Sequence, residues 1–137
     1  MTEQEKQNKE IVLRFNREVL ENGNIGTIHE IIHPDFINHT LKGSASGPQG
    51  IIDFTINILH KALTDIKVEI HDQVFEDSKV VTRKTIYGTH IDNFMGVEPS
   101  GKRVAIGIID IIVLSNGQYT EHWSIRDLSS LLNPSLN

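Results

Sequence analysis

The pair Asn116-Gly117, between two strand-like stretches near the end of the chain, restricts the fold more than any other feature. Asn-Gly suits a two-residue hairpin turn because both positions tolerate positive φ. The sequence therefore predicts that residues 103–114 and 118–127 form adjacent antiparallel strands, with Ser115 opposite Gln118.

A regular register then decides which side chains share a face of this hairpin. Glu121 is predicted opposite Ile112, and Trp123 opposite Asp110. Because side chains alternate along a strand, these four residues would lie on one face of the sheet. Two carboxylates and a large aromatic on an otherwise apolar surface indicate a candidate acid–base site.

Each of the two carboxylates could have a structural role instead of a catalytic one. A Glu121 placed among apolar side chains could remove a proton from a carbon next to a carbonyl, or donate one to a leaving oxygen. It could equally be a surface carboxylate paired with Arg126 or Arg103. Asp110 interrupts an apolar run, so it either shares the pocket or accepts hydrogen bonds in a subunit interface.

The rest of the chain reads as helices followed by strands, an α+β arrangement in one domain spanning residues 1–137. Helical apolar spacing covers residues 3–22, about 25–32 and 48–63, with an irregular loop at 43–48 and Pro48 starting the third helix. Alternating patterns then predict strands at residues 66–75, 79–91, 103–114 and 118–127, and a short final turn at 128–137.

Composition narrows the function classes. The net charge of −5 argues against nucleic acid as a partner, since no basic stripe is available to neutralise phosphates. The longest apolar run is too short to span a bilayer, and the N-terminus lacks an apolar signal core. With no cysteine, thiol catalysis and zinc–thiolate sites are excluded. A cytoplasmic protein is therefore expected.

The strand at 103–114 is apolar at both parities, which bears on assembly. An antiparallel sheet with one solvated face would alternate between apolar and polar residues. Three helices can cover only one face well, so the other is expected to meet a second subunit. The sequence therefore predicts a homodimer, and leaves further pairing into a tetramer open.

Polar residues elsewhere in the chain are weaker candidates. Asn38 and His39 follow a strand-like stretch and could line a pocket mouth, or could simply cap the loop. Tyr87 and Arg83 share one face of the second strand. The histidine pair His29 and His33 has helical spacing, but the proline that follows ends the helix and makes a metal site improbable.

The order of motifs resembles the SnoaL-like polyketide cyclases of the nuclear-transport-factor-2-like superfamily. The matching motifs are Asn38-His39, the helix start Gly47-Pro48-Gln49-Gly50, and Glu121-His122-Trp123 followed by Asp127. The resemblance implies a cone-shaped α+β barrel, with three N-terminal helices packed on a curved antiparallel sheet around an apolar pocket. It also implies intramolecular aldol chemistry without metal or cofactor.

Residue roles follow from the same resemblance. Glu121 would be the general base, and His39 or Asn38 would stabilise the oxyanion of an enolate formed from a small hydrophobic carbonyl compound. Where known members use an aspartate, this chain has the longer glutamate. The residues expected to contact the substrate are Trp123, Asp110, Asp127, Phe15, Ile112 and Tyr87.

Other activities remain open at this point. A non-catalytic protein could use the same pocket to hold a hydrophobic ligand, or a collapsed pocket could leave only a dimerisation module. Epoxide hydrolases of the superfamily use an Asp–Arg–Asp set, which Arg83 with Asp110 and Asp127 imitates loosely. Ketosteroid isomerases use a tyrosine on the first helix, where this chain has Phe15.

Overall fold

The fold is described from a computed structural model over residues 1–133. Helix α1 (Glu3–Arg14) begins with a capping box in which Thr2 and Glu5 exchange hydrogen bonds, as expected from the sequence. It continues as a π-helix (Phe15–Glu21) and ends at Gly23, which has a φ of 66°. Helix α2 (Ile25–Ile31) then leads directly into strand β1 (Ile32–Asn38).

The third helix begins at Pro48, as predicted, after a loop more regular than expected. A 3₁₀ turn (Gly43–Ser46) forms where the glycine and proline content predicted irregular structure. Helix α3 (Pro48–Asp53) continues as a second π-helix (Phe54–Leu59) and one last turn, α4 (His60–Ala62). The helical stretch thus ends one residue before the predicted boundary.

Five strands form one curled sheet in the order β1-β5-β4-β3-β2. Strand β1 pairs with β5 in parallel, and all other pairs are antiparallel. The predicted mixed α+β fold is confirmed, with one parallel pair at the edge. The remaining elements are β2 (Leu63–Glu76), β3 (Lys79–His90), β4 (Arg103–Ser115), β5 (Gln118–Asp127) and α5 (Ser129–Leu132). The predicted final turn lies partly in residues 134–137, outside the described chain.

The register predicted for the β4–β5 hairpin is wrong beyond its first two pairs. Ser115 pairs with Gln118 as expected, but Thr120 is an extra residue that has no partner in the ladder. Glu121 consequently lies opposite Val113, not opposite Ile112. Such a bulge adds one residue to one strand, which reverses the face of every side chain after it.

The bulge separates residues that the regular register had placed together. Asp110 and Ile112 remain on the inner face, which packs against the helices and is buried. His122 joins them there, since it pairs with Ile112. Trp123 pairs with Ile111 instead of Asp110 and lies on the outer face together with Glu121.

Candidate functional site

A cavity of about 290 Å³ lies between the inner face of the sheet and the helices. Its volume is at the lower end of the range found for small-molecule sites. Most of its wall is apolar, supplied by α1, α3 and their π-helical extensions together with β4 and β5. The apolar residues that line it include Val12, Phe15, Leu20, Phe36, Leu41, Ile51, Phe54, Ile58, Ile108 and Ile112.

A buried ion pair lies in the wall of this cavity. Lys84 Nζ is 2.9 Å from Asp110 Oδ2, and each side chain is about 5% exposed. The two residues are diagonal neighbours on β3 and β4, because Asp110 pairs with Thr82. Lys84 also donates to Asn16 Oδ1 at 2.8 Å, and Asn16 donates to the carbonyl of Val12. The ammonium group therefore has two fixed oxygen partners.

Two buried oxygens that belong to cavity-lining residues have no hydrogen-bond partner within residues 1–133. They are Asp110 Oδ1 and Thr55 Oγ1. Leaving a buried polar atom unpaired is costly, so such atoms are uncommon in folded proteins. The second oxygen of Asp110, a residue of the cavity wall, thus has unused hydrogen-bonding capacity.

His122 contributes an imidazole to the same wall. Its burial lowers the pKa to about 4, and the positive charges of Lys84 and Arg126 act in the same direction, against the opposing effect of Asp110. The imidazole is therefore neutral at physiological pH. A neutral imidazole carries one N–H donor and one acceptor nitrogen.

Tyr119 adds a neutral phenol to the cavity wall, next to the bulge. Burial raises the pKa of its hydroxyl well above 10.0, and the negative charge of Asp110 adds to that effect. Its ring packs on Phe15 with 4.8 Å between ring centroids. The cavity thus combines the buried carboxylate of Asp110 with two neutral groups able to donate hydrogen bonds.

Both π-helical segments supply cavity residues. Asn16 and Leu20 come from the first segment, and Phe54, Thr55 and Ile58 from the second. A π-helical turn inserts residues into a helix and changes the direction of its side chains, and such turns are frequent at functional sites. The polar Asn16 and Thr55 are directed into an otherwise apolar wall by this geometry.

Three residues predicted at the catalytic centre form a separate cluster on the outer face. His39 Nε2 lies 3.0 Å from Glu121 Oε1, and the His39 ring stacks on Trp123 at 4.4 Å. None of the three lines the cavity. The predicted placement of Glu121 and Trp123 in the pocket is wrong because of the bulge at Thr120. Strand β1 pairs with β5 in parallel, and Asn38 lies opposite His122 and faces the cavity. His39, the next residue, therefore lies on the outer face with Glu121 and Trp123.

The remaining predicted residues divide between the two faces. Phe15, Ile112 and Asp110 line the cavity. Tyr87 lies outside it and donates to Glu69 Oε1 at 3.1 Å on the outer face. Asp127 also lies outside and accepts from the backbone N–H of Ser129, which lowers its pKa.

The Asp–Arg–Asp set of an epoxide hydrolase is not assembled from the residues the sequence suggested. Arg83 forms an exposed ion pair with Asp72 at 3.0 Å. Arg83 lies on the outer face, opposite to that of Asp110, and Asp127 does not line the cavity. The loose resemblance to that set is therefore not realised by these three residues.

Sequence reasoning missed Lys84, His122 and Arg126 as cavity residues. Lys84 was detectable, because it occupies an inner position of β3 between Thr82 and Ile86 and could have been matched to the isolated Asp110. His122 and Arg126 could not be placed without knowledge of the bulge, since a regular register assigns both to the outer face.

The sequence model of the SnoaL-like polyketide cyclase family matches residues 10–133 of the chain. No match was found among curated proteins. Within the part of the chain that the structure covers, no helix has the length and apolarity needed to cross a membrane.

Several solved structures are similar to this chain. A candidate SnoaL-like polyketide cyclase from Jannaschia sp. CCS1 is 26% identical with a TM-score of 0.82, over 96% of this chain and 93% of that one. IdmH, a candidate polyketide cyclase from Streptomyces antibioticus, is 25% identical with a TM-score of 0.76, over 96% and 99%. AclR, a candidate hydroxylase from Streptomyces galilaeus, shares the fold at 24% identity and a TM-score of 0.80, over 93% and 80%.

Proposed function

The chain belongs to the SnoaL-like polyketide cyclase family, and from that premise we propose that it catalyses enolate chemistry on a small hydrophobic carbonyl compound bound in the inner cavity. The reaction class is an intramolecular aldol cyclisation or a related isomerisation. Asp110 is the general base and His122 donates a hydrogen bond to the enolate oxygen. They take the place of the sequence-based candidates Glu121 and His39. Asn38 remains a candidate for substrate contact at the cavity wall.

The chemistry follows from the groups in the cavity. The free oxygen of Asp110 removes the proton from the carbon next to the substrate carbonyl, and the electron pair of that C–H bond forms an enolate. The enolate carbon then attacks a second carbonyl carbon of the same molecule, which forms the new C–C bond. The resulting alkoxide takes back the proton held by Asp110, so the reaction is balanced without an added reductant or oxidant.

Neutral donors suit the charge that develops during this reaction. The N–H of His122 and the hydroxyl of Tyr119 can stabilise the enolate oxygen, because both groups are uncharged at neutral pH. Hydrogen bonds of this kind are stronger in a dry cavity than in water. Lys84 balances the carboxylate charge and holds Asp110 in a fixed orientation.

One observation carries the proposal: a buried carboxylate oxygen of Asp110 has no partner within the described chain and belongs to a residue that lines an apolar cavity. An ion pair that served only stability would use both oxygens in hydrogen bonds, because an unpaired one is costly. A carboxylate oxygen that stays unpaired despite this cost is suited to accept a proton from a substrate.

The test measures enolisation directly, without the natural substrate. The protein is incubated with 1-tetralone in D₂O, and loss of the α-proton signal is followed by NMR. Asp110→Asn should lower the enzyme-dependent exchange rate by about 100-fold or more, in the range expected for a lost general base. Glu121→Gln, the matched change on the outer face, should leave the rate within about twofold of the wild-type value.

Folding must be controlled, because Asp110→Asn leaves the ammonium of Lys84 buried without its carboxylate. The double variant Asp110→Asn/Lys84→Gln removes both charges and should also lose exchange while melting as a folded protein. A wild-type protein without any exchange above buffer, or an Asp110→Asn variant as active as Glu121→Gln, contradicts the proposal.

A second candidate function is non-catalytic binding of a hydrophobic ligand, favoured by the predominantly apolar wall of the cavity. The two functions differ in one measurement. A binding protein would take up 1-tetralone without accelerating exchange, and its affinity would not depend on Asp110.

We also propose that the protein forms a homodimer through the outer face of the sheet. Exposed apolar side chains form one patch across the neighbouring strands β1, β5 and β4. The charged groups around it are paired within the chain, as in His39–Glu121 and Arg83–Asp72, so two copies could approach without net repulsion. The members of this outer patch are Ile37, Ile109, Ile111, Trp123 and Ile125.

A further inference from the structure

Arg126 is a cation in the cavity wall without an acidic partner. It follows His122 and Ser124 on the inner face of β5, and no carboxylate in residues 1–133 forms an ion pair with it. The contacts of its guanidinium are with apolar or weakly polar groups. Its carbon Cζ lies 5.6 Å from the centre of the Phe54 ring, and one nitrogen lies 3.8 Å from Met95 Sδ.

The face of the Phe54 ring stabilises the guanidinium only in part, and burial opposes its charge. Burial lowers the pKa of Arg126, and no neighbouring acid opposes that effect. The chain is not short of carboxylates, since it has 18 acidic residues against 13 basic ones. Asp53, the other acid in the cavity lining besides Asp110, is exposed and accepts from Gln49. A partner for Arg126 is therefore missing from the described chain.

Arg126 lies on the same inner face as Asp110, on the neighbouring strand. Ser124 pairs with Asp110 across the β4–β5 ladder, and Arg126 is two residues further along β5. Two residues of a strand span about 7 Å. Asp110 and Arg126 are thus diagonal neighbours in the cavity wall, so one ligand could contact both residues.

We propose that the ligand of this cavity carries a carboxylate that binds Arg126, so that the substrate class is a hydrophobic keto acid. This inference rests on the proposed function for the carbonyl, and adds the anionic group. Arginine is suited to it because the planar guanidinium binds a carboxylate through two parallel hydrogen bonds. The Phe54 ring and Met95 contact the guanidinium at the cavity wall, and neither of them is an acid that would compete with a bound carboxylate.

Two probes of nearly equal shape test the inference: 2-naphthoate and its neutral amide, 2-naphthamide, with affinities measured by calorimetry. The wild-type protein should bind the carboxylate about 10- to 100-fold more tightly, the range expected for a charge-assisted hydrogen bond. Arg126→Gln should remove this preference and leave the affinity for the amide unchanged. Arg83→Gln, which changes an outer-face arginine, should preserve it.

The outcomes separate this inference from the proposed function. Equal affinity of the wild-type protein for both probes, or a preference that survives in Arg126→Gln, overturns the carboxylate inference alone. A clear preference together with no exchange of 1-tetralone overturns the enolate chemistry alone. Binding of neither probe also overturns the carboxylate inference, whereas the exchange of 1-tetralone alone decides the enolate chemistry.

Discussion

At the scale of single residues, the chemistry depends on how burial distributes charge among a few side chains. His122 is neutral because burial in the cavity wall lowers its pKa, whereas Lys84 and Asp110 form a close ion pair. The sequence singled out Asp110 because it interrupts an apolar run, but it could not reveal its partner. That partner comes from another strand, and only the pairing of β3 with β4 brings Lys84 within reach.

The depressed pKa of His122 predicts a pH-dependent loss of stability. The unfolded chain binds this proton near pH 6.5 and the folded chain only near 4, so protonation favours unfolding. The free energy of unfolding should be unaffected by this group above about pH 6.5. It should fall as the pH decreases from 6.5 to 4, by up to about 3 kcal/mol.

Urea unfolding at pH 7 and pH 4.5 checks this prediction. His122→Gln should lose less stability between the two pH values than the wild-type protein does. His29→Gln, which changes an exposed histidine on α2, should behave like the wild type. A His122→Gln variant with the same pH dependence as the wild type would be evidence against the buried neutral imidazole.

At the scale of elements, the bulge at Thr120 determines which residues reach the cavity. Strand existence, the Asn116-Gly117 turn and the capping box at Thr2 were all predictable, because each depends on residues close in sequence. The bulge was not, since no glycine or proline marks it. Its position depends on how β5 fits between β4 and β1, which is a tertiary property.

Deleting Thr120 should be tolerated, because it is the residue without a partner in the ladder. Leu114–Tyr119 and Val113–Glu121 would become consecutive pairs, and each side chain would keep its face. The expected cost is about 1 kcal/mol, from the lost hydrogen bond of the Thr120 hydroxyl to the carbonyl of Val113.

Deletion of Ser124 is the matched control for this prediction. It lies within the regular ladder, so its removal would turn Arg126 outward and Ile125 inward, at a cost of about 3 kcal/mol or more. Urea unfolding of the two deletion variants measures the difference. Equal destabilisation by both deletions would contradict the assigned bulge.

The start of α3 permits a second prediction at this scale. Gly50 packs so closely on the 3₁₀ turn that an added Cβ would lie 1.9 Å from the carbonyl oxygen of Ala45. Gly50→Ala should therefore cost about 1–3 kcal/mol in unfolding free energy, despite the higher helix propensity of alanine. At Gly47 the nearest atom would be 3.9 Å away, so Gly47→Ala should be near neutral in thermal unfolding. If the two variants melt alike, the close packing is absent in solution.

At the scale of the whole molecule, the arrangement of helices before a curled sheet was readable from the change of apolar period near Asp65. The closure of the cavity could not be predicted from the sequence, because it depends on how two π-helical segments pack against the inner face of the sheet. The apolar character of both faces of β4 was visible, and it corresponds to a buried inner face and the exposed outer patch.

The proposed homodimer predicts that a charge in the outer patch dissociates the protein. Ile125 is 79% exposed on β5, the middle of the three strands that carry this patch, so Ile125→Asp would place an uncompensated charge in the interface. Sedimentation velocity should give a dimer for the wild type and a monomer for this variant. Leu132→Asp, at an exposed apolar residue of α5, is the control and should remain dimeric. A monomeric wild-type protein would contradict the assembly.

The central claim is that a ligand occupies the inner face against His122 and Asp110, and not the outer cluster of His39, Glu121 and Trp123. Its most direct test is an NMR titration with 1-tetralone at pH 7, in which the imidazole signals of His122 and His39 are assigned from variants. We expect the His122 signals to shift as the ligand binds and the His39 signals to stay in place. Shifts at His39 with none at His122 would contradict the account.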